Sequence, residues 1–288
     1  MQKSGWESEM LLYRLLSAFI GLPIAIALAW VGGLPFAIAI CVLAILAACE
    51  LIMAFDKAGI DVVKEVALPC LVAGIIGTFM FANEQHILLY LWSAIIFLSV
   101  FGSMSFHIAF HDERKQLGSH SANISATVFT VVYVGMFAFM VMLRESECGR
   151  ELMLLSMLTA WGMDAVAYFV GRWRGGRKIC ERVSPGKTVL GSVSGLITAV
   201  LLAPSLAFLF QSMQASGTLM LSTAKVFPIG LIIGTLGQVG DMCKSVIKRD
   251  VGIKDFGNII PGHGGVLDRF DSLLISTPLV YFYALIAL

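Results

Sequence analysis

The chain has 288 residues, 58% of them hydrophobic and only 14% charged, with a formal net charge of +1 and a mean hydropathy of +0.87. Soluble domains carry about a quarter charged residues, so these totals exclude a water-soluble globular enzyme and predict a polytopic membrane protein. A balance this close to neutral gives no ground for a nucleic-acid partner, and none is expected.

Taken in chain order, apolar runs predict nine membrane helices: Leu15 to Val31, Leu34 to Phe55, Val66 to Ala82, Ile87 to Met104, Ala126 to Leu143, Leu152 to Val170, Val189 to Phe210, Val226 to Val246 and Ser272 to Leu288. A helical crossing takes roughly 20 residues, so nine crossings leave too little chain for a separate soluble domain. The expected fold class is an all-α polytopic membrane protein: a single integral membrane domain over 1–288, with an N-terminal helical scaffold over 1–145 and a catalytic half over 150–288. Its cytoplasmic loops are expected at 171–188 and 240–271, and any site must be built from helix ends and these loops. The ALAW sequence at 27–30 has the small residues of a peptidase site, but the run leads into further spans and is read as a retained helix. Pro23 and Pro69 do not break such helices, because lipid forces the backbone to satisfy itself.

Charge decides the expected orientation. In the nine-span arrangement seventeen of the 20 Lys and Arg residues fall on one side, and Arg144, Arg150 and Lys225 on the other. The positive-inside rule then puts the N-terminus and the long loops in the cytoplasm and the C-terminus outside. The six cysteines (41, 49, 70, 148, 180, 243) have no CxxC or CxxH spacing and read as packing residues. Ser105 to Ser125, with His107, His111 and His120, reads as a solvated loop rather than a metal tract, because its histidine spacing is irregular.

Ionisable groups inside apolar helices are costly unless paired, hydrated or bound to an ion. Asp164, Tyr168 and Gly171 recur at i, i+4 and i+7 on one helix face. Glu50, near a helix end beside Asp56 and Lys57, reads as an interfacial or helix-pairing carboxylate. Between the sixth and seventh spans runs GRWRGGRKICERVSPGKTVLG, with six basic residues against Glu181. Its GKT does not make a P-loop: Glu181 stands where the first glycine is needed, and a membrane helix where the strand is needed. What remains is a turn at a helix start presenting Ser184, Lys187 and Thr188, groups suited to phosphate oxygens.

Chemistry is concentrated from Gly240 to Asp271. Asp241, Asp250, Asp255, Asp268 and Asp271 alternate with Lys244, Lys248, Arg249, Lys254 and Arg269, among glycines at 252, 257, 262, 264 and 265. Carboxylates suit a hard cation, and Lys and Arg suit phosphate. Asp241, Lys244 or Ser245, and Lys248 share one face as the eighth helix leaves the membrane.

Residues Ser245 to Asp271, in the pattern SxxKRxxxxKDxxxxxPGHGGxxDRxD, resemble the signature of the phosphatidate cytidylyltransferase (CDP-diglyceride synthase) family. DAVAYFVG (164–171), SPGKT (184–188), Gly240 with Asp241 and, more loosely, Arg14 and Glu50 extend the likeness. The resemblance implies an integral membrane enzyme that condenses CTP with phosphatidic acid to give CDP-diacylglycerol and pyrophosphate. The short chain points to a multi-pass protein of a bacterial cytoplasmic membrane, and a homodimer is one expected assembly. The resemblance also implies Mg2+, with a second cation plausible, on Asp241 and Asp268, with Asp271 as a further ligand. Lys187, Lys248, Arg249 and Arg269 are then expected on the triphosphate or lipid phosphate, with Lys254 among the substrate contacts. Ser184, Thr188 and Ser245 are expected to hydrogen-bond, His263 to contact phosphate or shape its turn, and Asp164 and Tyr168 to complete the site. Two positions depart from the pattern: Leu190 and Lys244 stand where the family commonly has acids, and both are read as variation around the metal site. The readings set against this one are a CTP-dependent polyprenol kinase or other CDP-lipid synthase, and an ion-coupled transporter using Asp164 and Asp241. No internal repeat supports the transporter, and the spaced motif of the CDP-alcohol phosphatidyltransferases is absent.

Overall fold

A computed structural model describes residues 19–110, 119–213, 222–257 and 264–288. Eleven helices follow one another: α1 (Phe19–Val31), α2 (Gly33–Lys57), α3 (Lys64–Met80), α4 (Gln85–Ala109), α5 (Ser119–Gly135), α6 (Ala138–Glu145), α7 (Gly149–Arg174), α8 (Val189–Met213), α9 (Thr223–Ile232), α10 (Gln238–Asp250) and α11 (Leu267–Ala287). A π-helical turn, Ile233–Gly237, joins α9 to α10. Among the described residues seven helical stretches are long and apolar enough to cross a membrane, with α5–α6 and α9–α10 each counting as one. The two other expected spans correspond to α1, a shorter apolar helix, and to α3, which has 17 residues.

The described residues form two compact units: those up to Met142 with Asp250–Arg269, and Leu143–Arg249 with Phe270–Leu288. In the first, α2 buries Leu51 completely, along with Ala44, Ala47 and Ala48, small residues that let neighbouring helices come close. Gly74 and Gly77 on α3 do the same for α4: a Cβ at Gly74 would lie 2.8 Å from the Trp92 ring, and one at Gly77 2.7 Å from Leu91. Trp92 Nε1 then donates to Thr78 Oγ1 at 3.1 Å, satisfying the indole in an apolar setting. The link from α2 to α3 is held from α5, where Asn123 Oδ1 accepts from Asp61 N at 2.9 Å and Thr127 Oγ1 from Val63 N at 3.0 Å.

The second unit is built on a seam of small residues. A Cβ on Gly191 of α8 would come within 2.6 Å of the Ala167 carbonyl on α7, and one on Gly230 of α9 within 2.6 Å of the Ala199 carbonyl. Gly191 with Gly195, and Gly230 with Gly234, are four apart, so each pair forms a groove along one helix face into which the neighbour's backbone fits. Gly240 continues the seam against α11, where its Cβ would meet the Asp271 carbonyl at 2.9 Å.

Two expectations are corrected here. The described residues are mainly helical, as expected, but they include one short ribbon: residues Lys178–Cys180 (β1) and Ser184–Thr188 (β2) pair antiparallel, with Lys178 opposite Thr188 and Cys180 opposite Ser184. Ser184 to Thr188 is thus a ribbon strand rather than a turn, because the segment extends far enough to pair before α8 starts. Thr188 ends it as a helix cap, its Oγ1 accepting from Gly191 N at 3.1 Å. At both ends of the expected loop from Ser105 to Ser125 the described residues are helical, since α4 runs to Ala109 and α5 begins at Ser119, while 111–118 lie outside the described residues. Polar residues at a helix end reach water without unwinding it, so the apolar run underestimates helix length. His107 and His120 face each other there, Nδ1 to Nδ1, at 3.3 Å, while His111 lies outside the described residues.

Candidate active site

Charged side chains converge in the second unit from α7, β2, α10 and α11. Asp241, in the first turn of α10, is held on both carboxylate oxygens: Lys187 Nζ from β2 lies 2.7 Å from Oδ2 and Lys244 Nζ, one turn along α10, 3.2 Å from Oδ1. Lys244 also pairs with Asp271 Oδ2 of α11. Asp271 Oδ1 accepts from Ser272 N at 2.7 Å, and Ser272 Oγ donates to Asp164 Oδ2 on α7 at 3.0 Å. The result is one continuous chain: Lys187, Asp241, Lys244, Asp271, Ser272, Asp164. Three carboxyl groups thus stand together with two ammonium groups.

Local structure explains this placement. The π turn at Ile233–Gly237 adds a residue to the helical path, a device common at functional sites. Gln238 follows it, and its Nε2 donates to Gly234 O at 2.7 Å and Ser192 O at 3.0 Å, tying α10 to α8. Its own carbonyl accepts from Lys187 Nζ at 3.3 Å, so the same residue steers the lysine towards Asp241. Gly240 supplies the close approach to α11 that brings Asp241 and Asp271 to one ammonium. Gly171 does so for the ribbon, since a Cβ there would stand 2.9 Å from Thr188 Oγ1.

Other residues singled out in the sequence take different positions. Ser245 is buried, but its hydroxyl donates to the Asp241 carbonyl at 2.9 Å on its own helix, which spends its proton. Thr188 accepts from Gly191 N, which leaves its proton able to donate. Tyr168 is 56% exposed and accepts from Arg172 at 2.9 Å on the same helix rather than from the carboxylate chain. Arg249 is exposed and donates through Nε to Val183 O at 3.3 Å, which ties the end of α10 to the ribbon turn. Ser184 and Lys248 are half-buried, and Leu190 is exposed at the start of α8.

The first unit holds the remainder of the signature. Asp268 Oδ2 accepts from Phe256 N at 3.1 Å and from Gly265 N at 3.3 Å, stitching the two sides of the glycine-rich segment. Glu50, fully buried on α2, accepts from Val266 N at 2.9 Å and Leu267 N at 3.1 Å through its two oxygens. These are amides at the N-terminus of α11, where a carboxylate is favoured both as acceptor and by the helix dipole. Gly257 and Gly265 pack on that carboxylate, with Cβ atoms excluded by contacts of 2.7 and 2.5 Å. Lys254 and Arg269 are exposed, and His263 lies outside the described residues.

Sequence reasoning did not single out Gln238 or Ser272. The available signal was weak: a Gln inside an apolar run, and a Ser directly after Asp271, both typical of ordinary helix contacts in membranes.

Among the described residues no three His, Cys, Asp or Glu side chains are grouped to enclose a metal. Magnesium, however, is commonly held by one or two carboxylates together with substrate phosphates rather than by a protein cage. Asp241 and Asp271, converging on one cationic group, fit that donor set.

The model of the cytidylyltransferase family matches residues 12–287, nearly the whole chain. The chain belongs to the cytidylyltransferase family. Among curated relatives, it is 30% identical over 267 residues to the phosphatidate cytidylyltransferase of Staphylococcus aureus (strain COL), covering 93% of this chain and 96% of that one. It is 37% identical over 153 residues to the phosphatidate cytidylyltransferase of Bacillus subtilis (strain 168), covering 52% and 54%, and 38% identical over 153 residues to that of Staphylococcus saprophyticus, covering 53% and 56%. In this cytidylyltransferase the carboxylate chain of the second unit lies well inside the matched range.

Proposed function

We infer that the chain catalyses the transfer of the cytidylyl group of CTP to phosphatidic acid, giving CDP-diacylglycerol and pyrophosphate in phospholipid synthesis. The observation that carries this reading is the joint pairing of Lys187 and Lys244 with Asp241 and Asp271 in a member of this family. A phosphate oxygen of phosphatidic acid, already anionic, attacks the α-phosphorus of CTP. A new P–O bond forms, the bond from the α-phosphorus to the β-phosphate oxygen breaks, and pyrophosphate leaves with the electron pair. No protein nucleophile or general base is needed, so catalysis rests on orientation and charge neutralisation.

Lys187, on a strand and fixed by Asp241 and the Gln238 carbonyl, is the first candidate to hold triphosphate oxygens. The Thr188 hydroxyl, at the start of α8, supports it as a donor, whereas Ser245 serves better as a spacer beside Asp241. Lys248, Arg249, Lys254, Arg269, Ser184 and His263 are proposed phosphate contacts, and Tyr168 with Arg172 an outer one. Asp241 and Asp271 are the proposed holders of Mg2+ in this unit, with Asp268 proposed as a ligand from the motif and Asp164 orienting Asp271 through Ser272. When bound, the ion supplies charge neutralisation at the phosphates. Nine crossings with the N-terminus and loops in the cytoplasm, a bacterial cell-membrane location, and a homodimer complete the proposal. α1 and α3, both apolar helices, support the count of nine.

The test is purified protein in detergent with CTP labelled in the cytidine, phosphatidic acid and magnesium. CDP-diacylglycerol and pyrophosphate in equal amounts are expected. Release of CDP instead would establish a kinase, and product formation undiminished by Asp241→Ala would remove the site from the reaction.

A further inference from the structure

Lys244 is expected from the sequence to vary around the metal carboxylates, but it lies between two of them. Its side chain is 5% exposed, and a buried ammonium is costly unless well paired. Asp241 Oδ2 is taken by Lys187 and Asp271 Oδ1 by Ser272 N, so the other oxygen of each, Asp241 Oδ1 and Asp271 Oδ2, turns to one common point. Two carboxylate oxygens brought to one point from separate helices make the donor geometry of a cation site, and here Nζ holds the point.

We propose that Lys244 is a tethered cation: its ammonium fills, with a covalently attached charge, the position between Asp241 and Asp271 that a free metal ion would otherwise take. The pair therefore accepts one metal ion fewer than it would with an acidic residue at 244. This rests on the reading that Asp241 and Asp271 face magnesium, and it adds that their alignment does not depend on a second ion. The ammonium contributes one positive charge against two negative ones. Each of these carboxylate oxygens has a second lone pair, and those would serve a single divalent ion shared with substrate phosphates. Lys244 acts through the carboxylates as a positioning residue.

The experiment counts bound Mn2+, added alone, by electron paramagnetic resonance on the full chain in detergent. Lys244→Glu is expected to bind one more Mn2+ per chain than wild type; equal counts overturn the proposal. Wild type binding one ion with no gain in the variant keeps the magnesium reading and removes the tethered cation. Wild type binding none, with one gained in the variant, does the reverse. Lys244→Met guards against a variant that fails to fold. It keeps the stem and loses the charge, so its melting temperature should fall in chelator and recover with Mn2+, and its Mn2+ affinity should exceed wild type by about tenfold or more. A fall that is the same with and without Mn2+ marks a purely structural lysine and overturns the assignment.

Discussion

Replacing Glu50 tests how the glycine-rich segment is held. In the native chain its carboxylate is fully buried and accepts two amide hydrogens, from Val266 at 2.9 Å and Leu267 at 3.1 Å. Hydrogen bonds to a charged group contribute about 1.5–3 kcal/mol each net, and burying the carboxylate offsets part of that gain. Glu50→Gln keeps one carbonyl acceptor but turns an NH2 towards the other amide, leaving a donor facing a donor. We expect a loss of about 3 kcal/mol, with roughly 4–5 kcal/mol for Glu50→Ala, which leaves both amides unpaired. At about 2–4 °C per kcal/mol for chains of this order of size, Glu50→Gln should melt roughly 6–12 °C lower in detergent. Hydrogen exchange at Val266 and Leu267 should accelerate in step. A double-mutant cycle isolates the contact: Gly265→Ala puts a Cβ 2.5 Å from Glu50 Oε2 and should be strongly destabilising alone, but much less so in the Glu50→Ala background. Unchanged melting together with unchanged exchange at both amides would refute the clamp, and additive Gly265 and Glu50 effects would refute the packing on it.

Three further outcomes follow from the second unit. Lys187→Met removes the ammonium 2.7 Å from Asp241 Oδ2 and should lower kcat/KM for CTP by about a hundredfold or more, a loss in the range seen when one fixed charge-stabilising donor is removed; a change below threefold would remove Lys187 from phosphate binding. Ser272→Ala cuts the link from Asp164 to Asp271, a neutral-to-charged bond worth about 1–3 kcal/mol, and should reduce kcat more than it raises KM for CTP. Steady-state kinetics separate the two. Gly240→Ala forces a Cβ to 2.9 Å from the Asp271 carbonyl and 2.8 Å from Ile275, an overpacking cost of about 1–3 kcal/mol, so both melting temperature and activity should drop. An alanine tolerated at full activity there would mean that α10 and α11 need not approach so closely.

The long apolar runs made most of the helices legible, because a membrane helix is specified by composition over about 20 residues and hardly by its partners. Helix ends were less legible. α4 and α5 extend into polar sequence around His107 and His120, and the SPGKT segment, read as a turn, pairs as β2 with a strand only three residues long, too short for alternation to signal. Asp241, Asp271 and Lys187 stood out as charged residues in unusual settings, and the structure brings them together. Tyr168 shares the period of Asp164, yet its exposed hydroxyl meets Arg172, since a helix face is wide enough for two residues on it to have different neighbours. Gln238 and Ser272 escaped notice because a single polar residue in a span has many structural uses.

By itself, the sequence determined the membrane setting, the helical class, and, through the motif from Ser245 to Asp271, the cytidylyltransferase chemistry. These depend on residue types and local spacing. Only the tertiary structure decided what each charge faces: that Lys244 stands between Asp241 and Asp271, that Glu50 holds amides more than 200 residues away, and that Ser272 connects Asp164 to Asp271. Such pairings are set by where glycine seams allow helices to touch, and a charge on one helix carries no mark of its partner on another until the two backbones have met.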